Sequence, residues 1–89
     1  GDLSISGDLS NEISYFFPEK VIAIVYSKGA KANISVRGKK IREIILKSIE
    51  GLEGARGGGH ENAVGSQIRI EDVEKFRENL EENLKNHKI

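Results

Sequence analysis

The sequence predicts an α/β fold: a small β-sheet with helices packed on it, in a single compact domain spanning residues 1–89. Three patterns predict it. Residues 21–26, Val-Ile-Ala-Ile-Val-Tyr, are β-branched and nearly continuous, as in a strand covered on both faces. Residues 32–37, Ala-Asn-Ile-Ser-Val-Arg, alternate apolar and polar with the period of two that a half-buried strand requires. Apolar residues at helical spacing occur twice, first as Ile41, Ile44, Ile45, Ile49 and Leu52, then as Val73, Phe76, Leu80 and Leu84. Strands interleaved with helices imply a sheet with helices layered on it.

The elements follow in order. The chain begins with Gly-Asp-Leu-Ser, repeated at residues 7–10, after which Leu9, Ile13, Phe16 and Phe17 recur at helical spacing. A helix is expected there, ending before Pro18, because the residue preceding proline is pushed out of the helical region. The 21–26 strand should be central. Lys28-Gly-Ala-Lys31 supplies a turn, and residues 32–37 form the hairpin partner, with Ile34 and Val36 facing inward and Ser35 and Arg37 outward. Gly38 breaks that strand. The isoleucine stripe marks a helix ending near Gly51 and Gly54. Ser66-Gln-Ile-Arg-Ile70 reads as a short strand, and the last helix carries Glu71, Asp72 and Glu74 at its start with Lys85, His87 and Lys88 near its end, each sign where the helix dipole favours it.

Composition narrows the function classes. With no Cys, neither a disulfide framework nor a cysteine-containing zinc or iron–sulfur site can form. His60 and His87 are the only histidines and show no metal-ligand spacing, so no metal site is expected in this chain. The longest apolar run, residues 21–26, is far shorter than the roughly 20 residues a membrane helix needs, and a cytoplasmic, non-membrane setting is expected. Twelve isoleucines, 31% charged residues and the absence of Cys and Met match the pattern of proteins from hot habitats. A chain this short builds one modest core, so any ligand site should be a surface cleft.

Formal neutrality hides an asymmetry. Residues 1–18 carry −3, residues 19–47 carry +6 and residues 48–89 carry −3. The basic block holds Lys20, Lys28, Lys31, Arg37, Lys39, Lys40, Arg42 and Lys47 against Glu19 and Glu43. It fits either a footprint for a polyanion or a solvated lysine face.

Six of the ten glycines lie between Gly51 and Gly65, and Ala55-Arg56-Gly57-Gly58-Gly59-His60-Glu61-Asn62-Ala63-Val64-Gly65 is the most informative stretch. Three successive glycines can fold into a concave nest of backbone N–H donors that binds an anion. Residues 61–64 can add a short helical turn whose first amides point the same way. The same run also reads as a flexible linker followed by a solvated histidine. A Walker-type phosphate loop and a dinucleotide fingerprint are both missing.

Gly57-Gly58-Gly59-His60-x-x-Ala63-x-Gly65 resembles the Gly-Gly-Gly-His-x-x-Ala-Ala-Gly signature of the C-terminal, DHH-associated domain of the DHH phosphoesterase superfamily, whose members include RecJ-like single-strand exonucleases, oligoribonucleases and cyclic-dinucleotide phosphodiesterases. The apolar strand, the turn, the Ser35-Val36-Arg37 strand and the helix before the glycines match the same layout, so the resemblance covers roughly residues 10–85. Val64 departs from the commoner Ala.

The resemblance implies a domain cut out of a longer hydrolase, in which a separate lobe holds the manganese- or magnesium-dependent catalytic site. This chain has no Asp-His-His triplet. It would be inactive alone, with no catalytic and no metal-binding residue and no cofactor of its own. Carried over by position, Gly57, Gly58, Gly59 and His60 would contact substrate phosphate and Arg37 a second phosphate or nucleotide. Asn62 and Gly65 complete the candidate substrate-binding set. The implied partners are single-stranded nucleic acid or a short oligonucleotide, and the catalytic lobe of the same parent protein. Two alternatives remain: a tRNA-binding module related to the C-terminal domain of alanyl-tRNA synthetases, and a structural or dimerising domain using the stripe from Ile41 to Leu52.

Overall fold

A computed structural model describes residues 11–86. Five strands form one sheet in the order β1-β2-β3-β5-β4, with β1 at Asn11–Phe17, β2 at Val21–Lys28, β3 at Lys31–Arg37, β4 at Arg56–His60 and β5 at Ala63–Arg69. Every neighbouring pair is antiparallel. Helix α1, Arg42–Ser48, connects β3 to β4, and α2, Val73–Asn86, follows β5 through a single 3₁₀ turn at Ile70–Asp72. The α/β architecture expected from the sequence is the one observed.

Both helices pack on the same face of the sheet. Period-two alternation sends Val21, Ala23 and Val25 of β2, Ala32, Ile34 and Val36 of β3, and Val64 and Ile68 of β5 into a core closed by Ile41, Ile44, Ile45 and Ile49 around α1 and by Phe76, Leu80 and Leu84 of α2. Both predicted helical stripes are therefore the buried faces. A polar seam joins the helices: buried Ser48 donates from Oγ to the Ile44 carbonyl at 2.7 Å and accepts from Asn83 Nδ2 at 3.1 Å, while Asn79 Nδ2 donates to the Ser48 carbonyl at 3.0 Å.

Three expectations are corrected. The helix expected before Pro18 is strand β1, because Tyr15 and Phe17 alternate onto the core while Glu12, Ser14 and Phe16 take the other side. Pro18 is a turn residue: the Phe17 carbonyl accepts from Lys20 N–H at 3.0 Å, and Lys20 takes a φ of 65° to close a three-residue hairpin loop. Leu9 lies outside the described residues. Secondly, β2 is paired on both sides but covered by helices on one face alone, so Ile22 and Ile24 are half-buried and Tyr26 exposed; the middle strand is β3.

The third correction concerns the glycines. Residues 57–60 are strand rather than loop, and Gly57 and Gly58 do not take positive φ, so they form no nest. Residues 61–64 supply a two-residue hairpin turn and the start of β5, with no helical turn. Pairing of Arg56, Gly58 and His60 with β5 holds the segment extended, which outweighs the weak strand propensity of glycine. Strand β5 also starts three residues before the strand expected from Ser66.

Candidate phosphate-binding face

The second face of the sheet carries no helix, and the strand register fixes which residues share it. Three rows cross it from β1 to β4. One runs Phe16, Ile22, Arg37, Ala63, His60; the next Ser14, Ile24, Ser35, Gly65, Gly58; the third Glu12, Tyr26, Asn33, Gln67, Arg56. A hydrogen bond of 3.1 Å from Gln67 Nε2 to Asn33 Oδ1 joins neighbours in the third row.

Arg37 and His60 thus flank Ala63, and two strand spacings put their Cα atoms about 10 Å apart. Beside them the middle row is nearly bare, since Ser35, Gly65 and Gly58 present at most one hydroxymethyl group. The result is an open trough of ≈ 600 Å³ over Gly65, walled by Tyr26, Asn33, Gln67 and Arg56 on the far side. Arg37, Arg56 and His60 are exposed and make no ion pair or side-chain hydrogen bond among the described residues. By contrast Arg69, at the end of β5, is committed. It meets Asp72 at 3.0 Å, Glu53 at 3.3 Å and Glu71 at 3.7 Å, and its pKa is raised, chiefly by the hydrogen bond to Asp72.

The glycines of β4 have three different local situations. Gly58 lies on the open face, has no positive φ and has nothing within 4 Å of where a Cβ would stand, so the fold itself does not demand glycine there. Gly59 has a φ of 149°, and a Cβ would meet the Ala63 carbonyl oxygen at 2.5 Å and Val64 Cα at 2.9 Å. Gly57 turns to the helix side, where a Cβ would lie 3.1 Å from Ile49 Cδ1. A two-residue turn makes His60 and Ala63 its closing hydrogen-bonded pair, so alternation turns the backbone amides of Gly57 and Gly59 away from β5 along the sheet edge.

Asn62 belongs to the scaffold. Its Oδ1 accepts from Lys40 N–H at 2.9 Å and its carbonyl from Gly38 N–H at 3.0 Å, while the Glu61 carbonyl accepts from Ile41 N–H at 2.8 Å. These bonds clamp the β4–β5 turn to the connection between β3 and α1. Of the residues singled out in the sequence, Arg37, Gly58, His60 and Gly65 share the open face; Gly57, Gly59 and Asn62 do not. Val64 is buried at 2% exposure on the helix side, so its extra bulk over alanine does not touch the trough. Ser35, Asn33, Gln67 and Arg56 complete the face and were not candidates; pairing the odd residues of β3 with the odd residues of β5 is the signal that would have found them.

The family model for the DHHA1 domain matches residues 2–86. The chain belongs to the DHHA1 family. Comparison with curated proteins and with solved structures gave no match. The match spans the whole described part of this DHHA1 domain, so the sheet, both helices and the glycine strand all fall within the family's extent. Among the described residues of the DHHA1 domain, no group of three or more His, Asp or Glu side chains is placed to hold a metal ion, and no helix is long and apolar enough to cross a membrane.

Proposed function

We propose that this DHH-associated domain holds the phosphates of a single-stranded oligonucleotide on its open face and presents them to a metal-dependent catalytic lobe of the same phosphoesterase. One observation carries the reading: two unpaired groups, Arg37 and His60, bracket Ala63 beside a floor of bare backbone at Gly58 and Gly65. A guanidinium offers a fork of N–H donors matched to phosphate oxygens, and an imidazole adds one donor more. The glycine floor lets a sugar–phosphate chain lie close to the sheet, where side chains would hold it off. Arg56 extends the positive field along β4.

The described residues do not fit the manganese or magnesium of such a hydrolase, and that ion is assigned to the other lobe. Phosphodiester hydrolysis draws on a metal to activate water and stabilise charge, so this chain supplies binding and orientation. The test is a titration of a short single-stranded oligonucleotide at several salt concentrations. Affinity should fall with salt by a slope of about −0.7 for each phosphate neutralised, and Arg37→Gln should flatten the slope. Binding indifferent to salt, or a slope unchanged in Arg37→Gln, defeats the proposal.

A further inference from the structure

The open face has two halves. Its β3–β5–β4 half carries the cations and the glycine floor, whereas its β1–β2 half carries an apolar cluster beside Ser14 and Glu12: Phe16 is 76% exposed and Tyr26 40%, with half-buried Ile22 and Ile24 between them. Scattered exposed apolar residues need no explanation. These four are contiguous, because Phe16 pairs with Ile22 and Tyr26 lies two residues beyond Ile24 on the same side of β2. Phe16 also shares its row with both proposed phosphate-binding groups, in the order Phe16, Ile22, Arg37, Ala63, His60.

We propose that Phe16 is a stacking platform for a nucleobase of the strand whose phosphates lie on Arg37 and His60, an inference that rests on the phosphate reading above. Strand spacing puts Phe16 about 10 Å from Arg37 and about 19 Å from His60, so a single strand laid along the row meets cations at one end and an aromatic ring at the other. Single-stranded nucleic acid is bound in this manner, with the backbone on positive groups and bases on aromatic faces. Charge on the face agrees. The Phe16 row and the glycine row contain no carboxylate; Glu12, at the β1 end of the third row, is the one acid in the three. An exposed ring on an open sheet face suits a planar base, which every nucleotide offers, so the platform selects for single-stranded nucleotide chains without reading sequence.

The test compares a single-stranded tetranucleotide with an abasic tetramer of the same backbone, each titrated into the chain at low salt by NMR. The base-bearing strand should bind more tightly and shift the Phe16 ring protons upfield, as stacking requires, while the abasic strand leaves them in place. Phe16→Ala should weaken the base-bearing strand by roughly five- to a hundredfold, spare the abasic one, and be rescued by Phe16→Trp but not by Phe16→Leu, which keeps apolar area without a ring. If Arg37→Gln weakens both strands while Phe16→Ala changes neither, the platform is wrong and the phosphate reading stands. Equal loss of both strands in Phe16→Ala also overturns stacking. No binding of either strand, or binding untouched by Arg37→Gln, removes the phosphate reading itself, and the platform with it.

Discussion

Arg37 and His60 project from the same side of the sheet with Ala63 alone between them in their row. Neither side chain is spent on the fold, so both can be removed at little structural cost. Arg37→Gln and His60→Ala should each weaken oligonucleotide binding by roughly ten- to a hundredfold, the usual worth of a charge-assisted hydrogen bond, while the urea midpoint stays nearly fixed. If the two share one phosphate, the double variant will lose less than the product of the single losses, and a double-variant cycle by titration measures that coupling.

The two neighbouring glycines should separate binding from folding. Gly58→Ala puts a methyl group on the open face into free space, in a backbone conformation that alanine accepts. Its stability should hold or rise by about 0.4–1 kcal/mol through the lower entropy of the unfolded chain, while oligonucleotide affinity falls. Gly59→Ala should do the opposite first: its Cβ meets the Ala63 carbonyl oxygen at 2.5 Å, so the β4–β5 hairpin must distort. Denaturant unfolding of both variants, set beside their affinities, checks the contrast.

Asn62→Ala should behave as a scaffold change. Losing the acceptor for Lys40 N–H should cost about 1 kcal/mol, since the site is exposed and water can replace it. Affinity per folded molecule should remain that of the parent chain. A large affinity loss at unchanged stability would instead make Asn62 a ligand contact.

Ser48 tests the seam between the helices. Ser48→Ala deletes the group that donates to the Ile44 carbonyl and accepts from Asn83 Nδ2, leaving that carboxamide short of a partner. The expected loss is about 1–3 kcal/mol in urea unfolding. Asn83→Ala in the same background should then add little, because the partner is already gone.

Much of the fold was legible because burial imposes its period on the chain. Val73, Phe76, Leu80 and Leu84 could lie together only on a helix, and Ile34 and Val36 could share a face with Val64 only on strands. Residues 11–17 misled for a physical reason. Ile13, Phe16 and Phe17 have helical spacing, yet Phe16 is exposed, so the true period is carried by Tyr15 and Phe17. The glycine–histidine motif reads as a nest and folds as a strand. Glycine permits a nest as readily as a strand, and the partner that decides between them, β5, is extended by Ala63, Val64 and Gly65, which have no alternation to announce it. No local pattern marks Arg56 and Phe16 as members of the open face, because membership depends on register between strands, which no single segment encodes.

The clamp at Glu61 and Asn62 makes the face a matter of parity. With that turn tied to Gly38, Lys40 and Ile41, His60 is fixed at one end of β4, and every residue before it is assigned a side by counting backwards. Deleting Gly58 would move Gly57 into its place and swing the Arg56 guanidinium to the helix side, where even a methyl group would stand 3.1 Å from Ile49 Cδ1. Removing two residues would keep every remaining side chain on its own face. Changes in the length of this strand should therefore be tolerated in even steps, and an odd step should survive only where a bulge absorbs the extra residue.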